Sequence, residues 1–190
     1  KLYKSKDKTL FNEKNIENQI NELFSLKVNL ISGDSIVINS TEALIAIDVN
    51  SGKNTHQRNI ESTALNTNLE AAKEIARQLR LRDLGGLVVI DFIDMDFHRN
   101  QITVERRLKE SMRRDRAKIQ IGRISPFGLL ELSRQRMRPS ITETTTDICP
   151  SCGGSGIRRS TESTALHVLR GIEEEGADLK TSEIEVIVPS

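Results

Sequence analysis

The fold of this chain is decided by the stretch Ala43-Leu44-Ile45-Ala46-Ile47-Asp48-Val49-Asn50 and its counterpart Gly86-Leu87-Val88-Val89-Ile90-Asp91-Phe92-Ile93-Asp94-Met95-Asp96. Each is an apolar segment that ends at or beside an aspartate. Between them, apolar residues recur at helical spacing, and Gly85-Gly86 ends the helix. A strand, a helix and a strand form a βαβ unit, whose right-handed crossover makes the two strands parallel. The sequence therefore predicts an α/β fold with a mixed sheet.

The two aspartates are expected to meet at one edge of that sheet. Parallel strands end on the same side, and open α/β sheets bind their ligands there. Two neighbouring carboxylates repel each other unless a cation lies between them, and Mg²⁺ is the hard, oxygen-seeking ion that such sites hold. The pattern thus predicts a metal site at Asp48 and Asp91. The alternative is that each aspartate only ends its strand and caps the next turn.

Asn50 follows Asp48 by two residues, so on an extended strand both side chains point to the same face. Its amide is placed to hold a metal-bound water or a phosphate oxygen, and a local turn bond is the competing interpretation. Lys53 and Arg58, in the polar loop that follows, are candidate phosphate contacts.

The charge of the chain is unevenly distributed, although the net charge is only +1 over 190 residues. Residues 97–138 carry 12 Lys and Arg against 4 Asp and Glu, whereas residues 139–190 carry 4 against 9. The basic middle favours a polyanionic partner, with Arg134 and Arg136 as backbone-phosphate contacts; a solvated helix face is the alternative. No apolar run approaches the ~20 residues of a membrane span.

The remaining elements are predicted from periodicity and turn residues. They are a helix over residues 12–25, a β-hairpin over 28–38, a helix over 99–116, a strand over 118–123, a helix over 164–175 and a closing strand over 183–188. The pattern over residues 129–136 fits a strand or a helix, and a strand is favoured. The chain starts without Met and stops just after that last strand, so we expect it to be part of something longer.

The only two cysteines stand in Cys149-Pro150-Ser151-Cys152-Gly153-Gly154-Ser155-Gly156. Their C-x-x-C spacing suits half of a tetrahedral Zn²⁺ site. A redox disulfide, two unrelated thiols, and half a zinc site completed by a second copy of the chain are the three interpretations. Redox motifs of this spacing open a helix behind a strand, whereas this one lies between a linker and a Gly-rich loop, which favours shared zinc.

Three stretches together resemble the bacterial ribonuclease E/G endoribonucleases: Asp48-Val49-Asn50-Ser51, the run from Gly85 to Met95, and Cys149 to Gly156. The connecting sequence over residues 67–84 and 127–136 also resembles that family. The resemblance covers nearly the whole chain, with three motifs in the right order.

The resemblance implies a domain organisation and an active site. Residues 1–26 would end an RNase H-like subdomain, residues 27–145 would be the DNase I-like catalytic subdomain, residues 146–158 the zinc-link, and residues 159–190 the start of a small oligomerisation domain. Asp48 and Asp91 match the catalytic Mg²⁺-binding aspartates, and Asn50 matches the asparagine that assists them. Lys118 stands where many relatives carry Arg, and it joins the candidate RNA contacts.

The same resemblance implies partners and a biological setting. The family cleaves single-stranded RNA in ribosomal and transfer RNA processing and in mRNA decay, and its members are cytoplasmic homotetramers. Cys149 and Cys152 match cysteines that share one zinc between two protomers. Its S1 and 5′-phosphate-sensing domains would precede Lys1, and contacts with degradosome proteins or the inner membrane would use regions absent here. The rival hypothesis is a non-catalytic, zinc-linked RNA-binding or assembly module.

Overall fold

A mixed sheet built around the two strands that carry Asp48 and Asp91 is the framework of this protein. The computed structural model describes residues 9–52, 60–177 and 183–187. The chain divides into two compact units, the first ending at Thr146 and the second beginning at Asp147.

Within the described residues, six strands pair in the order β1-β2-β3-β4-β6-β5. Only β3 and β4 are parallel, and all other neighbours are antiparallel. The predicted βαβ unit and the α/β class are therefore confirmed. In chain order the elements are α1 (Leu10–Glu13), α2 (Ile16–Glu22), β1 (Lys27–Asn29), β2 (Ser35–Ser40), β3 (Ile45–Asn50), α3 (Ile60–Leu81), β4 (Gly86–Asp91), α4 (His98–Met112), β5 (Ile119–Ile124), β6 (Leu129–Arg134), α5 (Ile141–Thr145) and α6 (Thr161–Ala177).

The two faces of the sheet have opposite characters, because strand side chains alternate with period two. Ile45, Ile47 and Val49 point into a core that they share with the buried residues of α3 and α4. The intervening Asp48 and Asn50 are exposed on the other face. Burying the apolar face under two helices thus leaves the polar face of β3 in contact with solvent.

The N-terminal region departs from the single helix predicted over residues 12–25. It forms α1 and α2, which are separated at Asn15 by a left-handed backbone with φ 52°. Asparagine tolerates this conformation better than most residues, so it breaks the periodic pattern without a glycine. Arg82 ties the region to the sheet unit by donating to the Ser25 carbonyl at 2.8 Å and to the Glu22 carbonyl at 3.3 Å.

The second unit contains one helix, α6, among its described residues. The closing strand predicted over residues 183–188 is wrong for residues 183–187, which have no regular structure. A β-strand requires a neighbouring strand with which to form hydrogen bonds, and the alternating Ile and Val residues do not by themselves provide that neighbour. Across the described ranges of the chain, no helix combines the length and apolar character needed to cross a membrane.

A buried ion pair joins three segments at one end of the sheet. The Arg134 guanidinium donates to Asp115 at 2.8 and 3.2 Å and to the Leu84 carbonyl at 2.8 Å. Both charged side chains are only 3% exposed. Burial alone would raise the pKa of Asp115, but the hydrogen bonds from Arg134 and from the Ala117 N–H outweigh it and lower that pKa. Asp115 therefore carries its negative charge at neutral pH.

We predict that Arg134→Ala destabilises the fold by about 3–5 kcal/mol, because Asp115 would be left buried and uncompensated. The matched control is Arg136→Ala, two positions away, whose side chain is 60% exposed beside Glu143 and whose loss should cost at most about 1 kcal/mol. Urea unfolding at pH 7 measures both. Equal losses of unfolding free energy in the two variants would contradict the assignment of Arg134 as a structural residue.

Candidate active site

Asp48 and Asp91 lie directly opposite each other on the two central parallel strands. Residues that pair in this way point to the same face of a sheet. Both side chains are exposed, on the face that α3 and α4 leave open. The predicted juxtaposition of the two carboxylates is thus present in the structure, with open access from solvent.

The electrostatics of this pair shows that the carboxylates interact. Partial burial raises the pKa of Asp91, and the negative charges of Asp48 and Asp94 raise it further. If β4 continued to residue 94, strand alternation would place Asp94 on the opposite face from Asp91. Because β4 ends at Asp91, that alternation no longer applies, and Asp94 lies close enough to act on Asp91. Asp94 is therefore a third acidic residue of the site.

Asn50 acts on Asp48 directly. Its side-chain Nδ2 donates to Asp48 Oδ2 at 2.7 Å, so the amide restricts the orientation of the carboxylate. The Asn50 side chain is therefore engaged with its neighbouring aspartate, on the face that the sequence predicted. Its carbonyl oxygen, Oδ1, is an additional potential ligand or acceptor.

The loop after Asn50 is anchored by Asp34, a residue that sequence analysis did not single out. Asp34 is 5% exposed and accepts from the Gly52 N–H at 2.7 Å and from the Thr67 hydroxyl of α3. Burial would raise its pKa, but these hydrogen bonds, with one from Ser32, lower it instead. The only sequence signal was its place in the Gly-containing turn between β1 and β2.

The turn between β5 and β6 forms a wall beside the acidic residues. A side chain at Gly128 would begin 3.2 Å from Asp94 Oδ1 and 3.9 Å from Asp91 Oδ1, and the residue has φ +80°. Glycine is needed there for the backbone conformation, and it also leaves room next to the carboxylates.

The predicted RNA contacts lie elsewhere. Arg134 pairs with Gly86, the first residue of β4, whereas Asp91 is its last, so roughly 17 Å of strand separates them. Lys118 and Arg136 lie at that same distant end, where the Gln135 N–H donates to the Lys118 carbonyl. The Arg134 side chain is buried in its ion pair with Asp115, so it is not on the surface that RNA can reach. The prediction that Arg134 contacts RNA is therefore wrong. Lys53 and Arg58 lie outside the described residues.

The donor set fits a hard divalent cation. Two carboxylates and an amide oxygen are ligand types that Mg²⁺ accepts, and it commonly takes one or two protein carboxylates plus water and substrate oxygens. In the part of the chain that the structure describes, no three His, Cys, Asp or Glu side chains are grouped so as to hold a metal. The site therefore suits an ion that keeps several non-protein ligands.

The cysteine loop of the second unit is a separate candidate metal site. The Gly153 N–H donates to the Cys149 carbonyl at 2.8 Å, which closes a tight turn. The N–H groups of Gly156 and Gly154 and the Cys149 thiol lower the pKa of Cys152. Positive φ angles of 87° and 70° at Gly154 and Gly156 accompany that arrangement. The loop thus favours the thiolate that zinc requires.

Comparison with known proteins gives concordant matches. The ribonuclease E/G family model matches residues 1–137, and a model described as the RNase E/G thioredoxin-like domain matches residues 148–190. Ribonuclease E of Escherichia coli is 59% identical over 180 residues, which are 95% of this chain and 17% of that protein. For ribonuclease E of Haemophilus influenzae the identity is 57% over 189 residues, the whole of this chain and 20% of the relative.

A more distant relative, ribonuclease G of Escherichia coli, is 39% identical over 163 residues. Those residues are 86% of this chain and 33% of the relative. The chain therefore spans about a fifth of the ribonuclease E sequences and a third of the ribonuclease G sequence that it matches.

We predict that Asp91→Asn raises the melting temperature of the metal-free protein at pH 7, by about 1–4 °C, because a repelling charge is removed. A raised pKa means that folding disfavours the carboxylate. The contribution of Asp91 to the stability of the wild type is then greatest below its ordinary pKa of 3.8 and is lost as pH rises through the raised pKa. Thermal unfolding with a chelator, across pH, measures this.

Glu42→Gln, an exposed carboxylate before β3, is the control and should leave the melting temperature unchanged. Added Mg²⁺ should stabilise the wild type and this control but not Asp91→Asn. An identical response to Mg²⁺ in all three proteins would show that the ion does not use Asp91.

Proposed function

The chain belongs to the ribonuclease E/G family, and on that premise we propose that it supplies the Mg²⁺-binding catalytic carboxylates of an endoribonuclease that cleaves single-stranded RNA. Its role would be RNA processing and mRNA decay. The observation that carries this proposal is the register of β3 and β4, which brings Asp48 and Asp91 side by side on the open face of the sheet.

Asp48 and Asp91 would hold the metal, with Asn50 restricting Asp48 through its 2.7 Å hydrogen bond. When bound there, Mg²⁺ supplies Lewis acidity towards a phosphodiester and lowers the pKa of water. The chain's own contribution is to fix two oxygen ligands before substrate arrives. Ordered ligands matter because a small displacement of a reacting group is costly in rate.

Asp94 adds negative charge beside the two ligands. Because Asp94 repels the Asp91 carboxylate, a divalent ion bound at Asp91 would relieve that repulsion, which favours cation binding. The same charges would repel an RNA phosphate in the absence of metal. The proposal therefore makes metal binding a condition for close approach of the substrate.

RNA contacts away from the cleavage point would come from the distant end of the sheet. Lys118 and Arg136 are at that end, and Arg136 is 60% exposed. Their separation from Asp91 by roughly 17 Å corresponds to several nucleotides, not to the scissile phosphate. Such contacts would position the strand without reading its sequence, and they would weaken as salt is added.

We also propose that Cys149 and Cys152 bind one Zn²⁺ together with the same pair from a second copy of the chain. Two thiolates fill half of a tetrahedral site, and structural zinc sites are closed by four protein ligands. The lowered pKa of Cys152 supports metal binding over two inert thiols. The resulting dimer would be the building block of a homotetramer.

The cleavage prediction concerns Asp48→Asn and Asp91→Asn in the full-length protein. Each should reduce Mg²⁺-dependent cleavage of a 5′-monophosphorylated single-stranded RNA by at least about 100-fold, since a charged metal ligand is lost. RNA binding, measured by fluorescence anisotropy, should be retained. Glu42→Gln is the control and should cleave as the wild type does.

The rival hypothesis, a non-catalytic assembly or RNA-binding module, makes the opposite prediction for the same assay. It requires RNA binding without any Mg²⁺-dependent product in the wild type. Full cleavage by Asp91→Asn would instead remove Asp91 from the mechanism while leaving the nuclease assignment to other residues.

The zinc prediction concerns stoichiometry. Native mass measurement with metal analysis should find one Zn per two chains. A chelator and the Cys152→Ser substitution should each release the metal. Either change should also convert dimers to monomers, or tetramers to smaller species. Ser151→Ala, in the same loop, should keep the metal. One Zn per single chain, retained in Cys152→Ser, would exclude the shared site.

A further inference from the structure

The turn between β5 and β6 displays an aromatic side chain close to the acidic residues. Phe127 is 83% exposed, in a protein with only five Phe, one Tyr and no Trp. Single exposed apolar residues are common on protein surfaces and by themselves need no explanation. Phe127 is distinguished by the structure of its turn and by its position.

The conformation of the turn does not require an aromatic residue at this position. The segment is Ser125-Pro126-Phe127-Gly128, closed by the Gly128 N–H donating to the Ser125 carbonyl at 3.0 Å. Proline presets the backbone of the second position, and glycine supplies the positive φ of the fourth. Polar residues dominate such turns for their local hydrogen bonds. Phe127 therefore exposes an apolar ring that its own turn does not use.

The turn is held firmly in place. The Ser125 hydroxyl accepts from the backbone N–H groups of Phe127 and Leu129, both at 3.3 Å. At the base of the turn, Glu105 of α4, only 8% exposed, accepts from the Ile124 N–H at 2.9 Å, next to the irregular pairing of β5 with β6. These contacts restrict the backbone that carries the ring, so presenting it costs little further ordering.

The turn is also adjacent to the proposed metal ligands. Gly128, the residue after Phe127, has its missing Cβ position 3.9 Å from Asp91 Oδ1. A cavity of about 280 Å³ lies beside it, lined by Pro126 and Gly128 of the turn and by residues 92–96, Gln101 and Ile124. That volume is just below the roughly 300–1,000 Å³ of ordinary ligand sites.

We propose that Phe127 is a base-stacking residue, which binds the face of a nucleobase in the nucleotide adjoining the scissile phosphate. This inference rests on the proposed function, since it takes RNA as the ligand of the Asp48 and Asp91 site. Stacking on an aromatic ring is available to all four bases, because each has a π face. The contact would fix the strand beside the metal ligands without selecting a sequence. Neither the charge of the chain nor its paired carboxylates can provide such a stacking contact with a base.

The test compares Phe127→Leu, which keeps an apolar side chain but loses the ring, with Phe127→Tyr, which keeps the ring. Both are made in the full-length protein. Phe127→Leu should lower kcat/KM for short single-stranded RNA by about 5- to 100-fold, mainly through KM, because stacking contributes to ground-state binding. Phe127→Tyr should stay within about twofold of the wild type. Phe11→Leu, which removes a half-exposed ring on α1, is the matched control and should have no effect.

A spectroscopic readout separates stacking from a merely structural role. RNA carrying 2-aminopurine at each position around the cleavage point, with a hydrolysis-resistant linkage at the scissile phosphate, is bound in Mg²⁺ to proteins that keep both Asp48 and Asp91. One position should show fluorescence quenching with Phe127 or Tyr, and none should show it with Leu. An abasic nucleotide at that position should weaken binding to the Phe127 protein and not to the Leu variant.

Equal affinity, equal kcat/KM and equal quenching in Phe127→Leu and the wild type would overturn the stacking site while leaving the nuclease proposal in place. Undiminished cleavage by Asp91→Asn would instead count against the proposed function. In that case a loss of RNA affinity and quenching in Phe127→Leu would still support the stacking contact. The melting temperatures of all variants should match, and a drop confined to Phe127→Leu with no change in quenching would assign the ring to stability.

Discussion

The pairing register of β3 with β4 is the constraint on which the rest of this structure depends. A shift of one residue would turn Asp48 into the core and bring Ile47 or Val49 to the open face, because side chains alternate along a strand. The buried face prevents that shift: Ile45, Ile47 and Val49 must all be removed from water together. The hydrophobic core thus sets the position of two charged residues that it does not itself contain.

The helix α3 then fixes the loops that follow the two strands. Thr67 donates to Asp34, which accepts from Gly52 beyond β3. Asn68, fully buried, exchanges two hydrogen bonds with the backbone of Ile93 beyond β4, at 2.8 and 3.0 Å. One helix therefore connects the crossover, the aspartate strands and their loops. Its buried polar residues hold irregular backbone that packing alone would leave free.

The sequence predicted the βαβ unit and the place of Asp48 and Asn50, because both follow from local periodicity and from the parallel crossover. It did not predict the partner of Arg134 or the approach of Asp94. Arg134 follows the buried Leu130 and Leu132 at intervals of two residues. In a strand this spacing places all three side chains on the same face, so the pattern indicated that Arg134 is buried. The proximity of Asp94 depends on β4 ending at Asp91, and no residue pattern marked that end.

The separation of acidic and basic groups along the sheet has a consequence for how RNA would approach. Three carboxylates gather at one end, while Lys118 and Arg136 lie at the other, beyond the length of β4. Long-range attraction of a polyanion therefore acts away from the proposed cleavage point, and repulsion acts at it. A divalent cation at Asp48 and Asp91 reverses the sign of the local field there. Under the proposed function, metal occupancy would decide whether a bound RNA strand reaches the acidic end of the sheet. An uncharged aromatic contact such as Phe127 would then bind the strand at that end without depending on the local charge.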